Sequence, residues 1–253
     1  MGMLTLGAAL PHGLYIVAAQ WPWQYVVAGP SVLACVASAM VIFVGNGPHL
    51  PVRGASGPNP GNPLNAFRDR QFRAVAVGDF GHMWELSGFW TVLPMLVARS
   101  SLVSQVGPQG ISALVFAIIG IGAFGCVVGG LITRWVDSAD VALGALAISG
   151  SCCFLLPFAA EALSPGWLLL FYLIWGAAVV ADSPHFSALA AMACPLALVG
   201  GALALQNSIA VALTVGSIAL VSTLFGDLDG ESIAWLGRWT KRPDSGFALD
   251  GCC

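Results

Sequence analysis

The chain has 253 residues, of which 58% are hydrophobic and only 8% are charged, and its mean hydropathy is +0.86. A soluble domain carries roughly 25% charged residues, so this sequence has too few charges to cover a water-exposed surface and predicts an integral membrane protein. The net charge of −3 says little, because most of the surface would face lipid, and the sequence shows no basic face of the kind that binds nucleic acid.

Seven segments are apolar over about the 20 residues that a membrane-spanning helix needs. They lie at residues 2–19, 23–44, 77–98, 111–133, 140–160, 166–192 and 200–225. Because lipid offers the backbone no hydrogen-bond partner, each segment is expected to be a helix. The first has no Lys or Arg before it, which favours a membrane span over a secretory signal peptide. The sequence therefore predicts an all-α, polytopic transmembrane bundle of about seven spans.

The predicted organisation has four parts. Two helices at 1–44 precede a linker at 45–76, five helices fill 77–225, and a polar tail occupies 226–253. No stretch of the tail is apolar enough to cross a bilayer.

The linker is rich in Gly, Pro and Asn, which predicts irregular structure with a short helix at Asn65–Arg73. Its arginines are Arg53, Arg68, Arg70 and Arg73. Basic residues concentrate in cytoplasmic loops, so the linker and the amino terminus are predicted to be cytoplasmic, in a cell inner (plasma) membrane.

Three ionisable residues, Asp79, His82 and Glu85, lie within or at the start of the third apolar segment. Their spacing of three predicts one broad face of a helix. Asp79 is expected near the cytoplasmic interface, with Glu85 about 12 Å deep by helical rise. Desolvation favours the neutral, proton-carrying form of such a carboxyl, so Glu85 is a candidate proton carrier or a buried carboxyl bonded to a neighbouring helix. His82 is a candidate proton relay or a hydrogen-bonded structural residue.

A second polar interruption, Asp182-Ser183-Pro184-His185, falls within the sixth segment. Pro184 removes a backbone hydrogen bond and disfavours helix at Ser183. Freed carbonyls beside Asp182 would form a polar notch in the cytoplasmic half. Asp182 and His185 are therefore candidates for a gate or solute pathway, and Asp182 alternatively caps the broken helix.

The last segment contains Gln206 and Asn207, neutral amides that can bind a solute or join two helices by hydrogen bonds. In the fourth segment, Gly125 and Gly129 form a GxxxG pattern that predicts close helix packing.

Motifs of enzymes and metal sites are not found in the sequence. There is no HExxH and no Walker A pattern, and none of the seven cysteines has zinc-ligand spacing. Ser149 is interpreted as a helix-packing residue, and the terminal Cys252-Cys253 pair as a tail end in preference to a lipidation site. The prediction is a non-enzyme without metal or cofactor.

Three stretches carry a resemblance to a known family. GDFGHMWELSGFW at 78–90, ADSPHFSALAAMACP at 181–195 and GGALALQNSIAVALT at 200–214 resemble helices 7, 10 and 11 of uncharacterised bacterial members of the major facilitator superfamily. The resemblance extends over about residues 1–225, which would correspond to helices 5–11. After helix 8 the family usually has Gly-x-x-x-Asp-Arg-x-Gly-Arg, of which only Gly129 and Arg134 match.

The resemblance implies a secondary transporter that moves a small solute by alternating access, coupled to protons. A distant similarity to nitrate and nitrite porters suggests an anion. It also implies that the first four helices are missing, so the alternative is a non-transporting fragment, or a membrane subunit that binds the missing helices of another chain. The expected partners are the lipid bilayer, a small solute and protons.

Overall fold

The computed structural model describes residues 1–18, 21–44, 62–195 and 198–227. All regular structure in these ranges is helical, which confirms the all-α prediction for them. The helices are α1 (Gly2–Ala18), α2 (Trp23–Val44), a 3₁₀ helix (Pro63–Arg68), α3 (Arg70–Arg99), α4 (Val103–Ile132), α5 (Ser138–Ala162), α6 (Pro165–Ala181), α7 (Ser183–Ala193) and α8 (Val199–Asp227). Most of the predicted linker, 45–61, and nearly all of the predicted tail, 228–253, lie outside the described residues.

Among the described residues, four helical segments are long and apolar enough to cross a bilayer. They are Gly110–Ile132, Ser138–Ala162, Pro165–Ala193 and Val199–Phe225. The chain is thus a multi-pass membrane protein with four candidate spans, fewer than the seven predicted. Helix α1 has only 17 residues, α2 has a shorter apolar stretch at Ala28–Phe43, and polar residues interrupt the apolar character of α3.

The start of α3 differs from the sequence prediction. A separate short helix was expected at Asn65–Arg73 and a span from residue 77, but α3 already begins at Arg70. The cause is Asp69, which caps the helix: one carboxylate oxygen accepts hydrogen bonds from the backbone N–H groups of Gln71 (2.7 Å) and Phe72 (3.0 Å). The 3₁₀ helix before it begins with Pro63, a residue suited to a first helical turn.

Helices α4 and α6 are in close backbone contact through glycine. A Cβ added at Gly125 would collide with the carbonyl oxygen of Ala177, and one added at Gly176 would collide with that of Ile118. Only glycine permits this approach. Helix α1 also packs on α4, with Thr5 and Ala9 fully buried.

Two separate apolar clusters also hold helices of the bundle together. The larger joins α3, α4 and α6 and includes Phe89, Leu93, Ile118, Tyr172 and Trp175. The smaller lies where the start of α3, the end of α7 and the start of α8 meet, and it includes Phe72, Ala76, Ala190, Cys194 and Ala202. The start of α3, the end of α7 and the start of α8 therefore lie at the same end of the bundle.

Helix α2 differs from the others because it has no extensive contact with any described helix. Its large side chains are exposed along the described length, among them Val36, Met40 and Phe43. Exposed apolar side chains over this length are compatible with lipid.

The glycine contact predicts opposite outcomes for two neighbouring substitutions in α4. Gly125→Ala should lower the free energy of unfolding by about 1–3 kcal/mol, because the new methyl group overpacks the α6 backbone. Gly130→Ala should leave it unchanged or raise it slightly, because nothing lies within 4 Å of that position. Denaturation of the purified variants in detergent, followed by circular dichroism, measures both. Equal stability of the two variants would contradict the close α4–α6 contact.

Candidate functional site

Glu85 lies at the middle of the 30-residue helix α3. Arg73 and Arg99, near the two ends, are about 18 Å and about 21 Å away from it by helical rise. Glu85 is therefore farther from the first residue of its helix than the sequence prediction had it, since α3 begins seven residues before the predicted start at residue 77. Asp79 and His82 precede Glu85 at intervals of one turn along a broad face.

His82 makes the most buried polar contact of the described chain. Its Nδ1 atom lies 2.9 Å from Oδ1 of Asp182, and each side chain is only 1% exposed. This separation is within ion-pair distance, but the geometry is not that of a hydrogen bond. Neither atom has a hydrogen-bond partner among the described residues. The imidazole ring also packs on Phe186, with ring centroids 5.8 Å apart. Two ionisable groups are thus held together in the protein interior.

Asp182 occupies the boundary between α6 and α7. Its backbone keeps helical dihedrals (φ −79°, ψ −23°), so the interruption is a single residue and not a wide loop. Its carbonyl oxygen accepts hydrogen bonds from the backbone N–H groups of His185 (2.9 Å) and Phe186 (3.2 Å). Pro184 lies in the first turn of α7, where it needs no backbone donor.

Asp79 contacts α8. The side-chain amide of Gln206 donates a hydrogen bond of 3.0 Å to Oδ2 of Asp79. Gln206 is buried, and its amide oxygen has no hydrogen-bond partner in the described part of the chain. Farther along the same pair of helices, the hydroxyl of Ser217 donates to the backbone carbonyl of Trp84 (2.7 Å).

Glu85 contacts α5. The hydroxyl of Ser149 donates a short hydrogen bond to Oε1 of Glu85, and Nε1–H of Trp175, on α6, donates to the same hydroxyl oxygen at 3.2 Å. Ser149 and Trp175 are buried, whereas Glu85 is half-buried. Glu85 is therefore the most exposed of these three side chains.

His185 lies beside α4. It is buried, its Nε2 has no hydrogen-bond partner among the described residues, and that atom is 3.1 Å from the place a Cβ on Gly129 would occupy. Gly129 thus makes room for the imidazole. Arg134 follows α4 in a turn and is exposed, so the two residues of the family loop pattern have different surroundings.

These side chains form a polar layer between the two apolar clusters. We define the polar layer as Asp79, His82, Glu85, Ser149, Asp182, His185 and Gln206. The sequence predicted two groups of these residues separately, one of Asp79, His82 and Glu85 and one of Asp182 and His185. It predicted Gln206 together with Asn207. Asn207 does not join them, because its side chain is exposed on another face of α8.

Ser149 was interpreted as a packing residue, and Trp175 was not singled out at all. The signal for Ser149 was present, since a hydroxyl in an apolar span usually finds a hydrogen-bond partner. The sequence gives no means of knowing that this partner is Glu85, which is 64 residues away.

A groove of about 470 Å³ lies between α4, α5 and α6, beside the polar layer. Its walls are almost entirely apolar, and Asp140 is the one ionisable residue among those that line it. The described residues contain no group of three or more His, Cys, Asp or Glu side chains placed to hold a metal ion.

No protein-family model, no curated protein and no solved structure matches this chain. The resemblance to the major facilitator superfamily therefore stays a prediction.

The His82–Asp182 contact predicts strong energetic coupling between the two side chains. Either His82→Leu or Asp182→Leu should cost about 3–5 kcal/mol of unfolding free energy, because it leaves the other group buried and uncompensated. The double variant should lose less than the sum of the two, with a coupling energy of about 0.5–3 kcal/mol. Detergent-phase unfolding of the four proteins in a double-mutant cycle measures this coupling. Additive losses would show that the contact contributes nothing, and Asp140→Leu serves as the exposed control.

Proposed function

We propose that this chain is a secondary transporter of the major facilitator kind, which moves a small solute across a membrane by alternating access and couples this movement to protons. The observation that carries the proposal is the buried His82–Asp182 contact, 2.9 Å long between two helices. Ionisable residues inside membrane helices are costly and usually belong to ion or substrate pathways.

In this proposal α1, α2 and α3 also cross the bilayer, which gives seven spans. Helices α4 and α7 both end near the start of α3. The arginines at the start of α3 and Arg134 after α4 then lie on the same side of the membrane. Arg99 lies on the other side. This distribution supports a cytoplasmic linker and a cytoplasmic amino terminus in an inner (plasma) membrane.

The proton carrier of the proposal is Glu85. It lies at the middle of α3 and is half-buried, and it accepts the hydrogen bond of Ser149. A proton on Glu85 removes one of the negative charges from the layer, and its departure restores that charge. Protonation of Glu85 thus changes the net charge of the polar layer, and this net charge affects which other ions or solutes can bind there.

The one-residue interruption at Asp182 supports a gating role in the same proposal. The helix changes from α6 to α7 at the residue that contacts His82. A change in the charge of this pair alters the interaction between α3 and the α6–α7 boundary, which gives the movement of one helix relative to another a local cause. Asp79 and Gln206 connect α3 to α8 in the same way at the cytoplasmic end.

A membrane subunit without transport activity is the second candidate. The observation that favours it is α2, which has no extensive contact with the other described helices and is available to helices of another chain. Purified protein that transports no solute alone, but copurifies with a second membrane polypeptide through α2, would support this candidate.

Uptake into proteoliposomes distinguishes the two. A panel of small solutes is tested with and without an imposed pH gradient, and we expect one or more to accumulate only with the gradient. Glu85→Gln should reduce gradient-driven uptake at least tenfold, because an amide cannot exchange the proton. Glu161→Gln, at the exposed outer end of α5, should retain it. Undiminished gradient-driven uptake by Glu85→Gln would remove the assigned carrier, and no uptake of any solute would remove the transporter proposal.

A further inference from the structure

Three arginines lie close together in the chain where the 3₁₀ helix gives way to α3. Arg68 is the last residue of the 3₁₀ helix, Arg70 is the first of α3, and Arg73 follows within one turn; all three side chains are exposed. Arg70 and Arg73 are three residues apart and are therefore neighbours on one face of the helix. Among the described residues, none of these arginines is within ion-pair distance of a carboxylate.

One hydrogen bond holds Arg73 beside the 3₁₀ helix. Its Nη1 atom donates to the backbone carbonyl oxygen of Phe67 at 3.4 Å. A guanidinium group has five N–H donors, so most of them remain available to a ligand. The nearby carboxylate of Asp69 is engaged in the helix cap, where one oxygen accepts two backbone N–H groups. The junction therefore presents three exposed guanidinium groups, one of them fixed in position.

An exposed apolar track continues from these arginines along α3. The helical repeat places Val77, Gly81 and Trp84 on the face that carries the two arginines of α3. Val77 is 67% exposed and Trp84 is 40% exposed, whereas nothing lies within 4 Å of the position that a Cβ on Gly81 would occupy. The Trp84 ring lies against α8 at Gly216. We define the apolar track as Val77, Gly81 and Trp84, with a depression at Gly81 between two larger side chains.

The length of the apolar track matches one leaflet of a bilayer. Trp84 lies about 16 Å beyond Arg73 by helical rise, and half of the hydrocarbon core is about 15 Å thick. Guanidinium groups at the level of the head groups would thus leave Trp84 near the midplane. The track is on the side of α3 opposite to Phe72 and Asp79, which contact other parts of the bundle. It therefore faces outward, toward lipid.

We propose that Arg68, Arg70 and Arg73, together with the apolar track, bind an anionic glycerophospholipid of the cytoplasmic leaflet. The phosphate pairs with the two arginines of α3, because planar guanidinium groups form paired hydrogen bonds with phosphate oxygens, and Arg68 adds positive charge beside them. One acyl chain lies in the depression at Gly81. A free phosphate would contact the arginines alone, whereas a lipid occupies both parts of the site. This inference rests on the proposed function in one respect, that α3 crosses the bilayer, and it requires no transport.

The bound lipid would connect segments that already pack at the cytoplasmic end of the bundle. The 3₁₀ helix contacts α8 through Pro63, whose ring leaves no room for a Cβ on Gly201. It contacts α3 through Phe67, whose ring centroid is 5.0 Å from that of Phe72 in an edge-on arrangement. A ligand that binds only this folded arrangement stabilises it by mass action. Occupancy of the site should therefore raise the thermal stability of the protein.

Native mass spectrometry of the purified full-length chain in detergent counts bound lipids by their mass. Titration with phosphatidylglycerol and with phosphatidylcholine of the same acyl chains compares an anionic lipid with one of no net charge. We expect the first phosphatidylglycerol to bind at least fivefold more tightly and to raise the midpoint of thermal unfolding, because basic clusters at the cytoplasmic surface attract anionic head groups. Inorganic phosphate and glycerol 3-phosphate, which have no acyl chain, should neither compete nor stabilise at the same concentrations.

Variants identify the two parts of the site. The double variant Arg70→Gln/Arg73→Gln should bind phosphatidylglycerol no better than phosphatidylcholine, whereas Arg134→Gln, at an exposed arginine after α4, should keep the preference. Gly81→Leu fills the depression without a change of charge and should weaken phosphatidylglycerol binding severalfold. Gly130→Leu, at an equally open position of α4, should not. Far-UV circular dichroism and gel filtration establish that each variant is folded, and the altered positions are all exposed.

Equal binding of the two lipids would overturn the lipid site, as would a phosphatidylglycerol preference that the double arginine variant retains. Competition by glycerol 3-phosphate, or undiminished lipid binding by Gly81→Leu, would assign the arginines to a free anion and would also overturn it. The two proposals fail separately. Gradient-driven uptake without a preference for phosphatidylglycerol would overturn the lipid site and leave the transporter. A preference that depends on the arginines, in a protein that transports nothing, would leave the lipid site and overturn the transporter.

Discussion

The contact between His82 and Asp182 is the constraint on which the arrangement of the bundle depends. Both side chains are almost completely removed from solvent, and an ionisable group in that position is costly unless another group compensates it. The contact joins α3 to the boundary of α6 and α7, so the faces that carry these two residues must meet. The apolar clusters above and below it pack around this arrangement.

The polar layer has one organising principle, which is pairing between different helices. Asp79 pairs with α8, His82 with the α6–α7 boundary, and Glu85 with α5 and through it with α6. Three successive turns of α3 thus contact three different neighbours. A change in charge at any one of these residues alters an interhelical contact, which is the physical requirement for coupling ion binding to helix movement.

Close backbone packing complements the layer. Gly125 and Gly176 bring α4 and α6 together by contacts with backbone atoms, and these contacts involve no charge. The bundle therefore combines one helix pair held by backbone proximity with others held by titratable groups. Contacts of the first kind involve no ionisable atom, whereas those of Asp79, His82 and Glu85 do.

The sequence by itself determined the membrane class, the helical content, the positions of most helices and the identity of the ionisable residues. Composition determines the membrane class, because so few charges cannot cover a soluble surface. The requirement for internal backbone hydrogen bonds determines the helical content. The spacing of Asp79, His82 and Glu85 fixed their common face through the helical repeat. The early start of α3 at Arg70 was missed because the cap at Asp69 outweighs the irregular composition before it.

Only the tertiary structure decided the partners. Asp79 and Gln206 are 127 residues apart, and Glu85 and Ser149 are 64 apart, so helical periodicity within one segment carries no information about these pairs. Their meeting depends on how closely the helices approach and on the rotation of each helix about its axis. Those quantities are set by all side chains at the interfaces together, and for this reason Asn207, adjacent to Gln206, lies outside the polar layer while Ser149 lies within it.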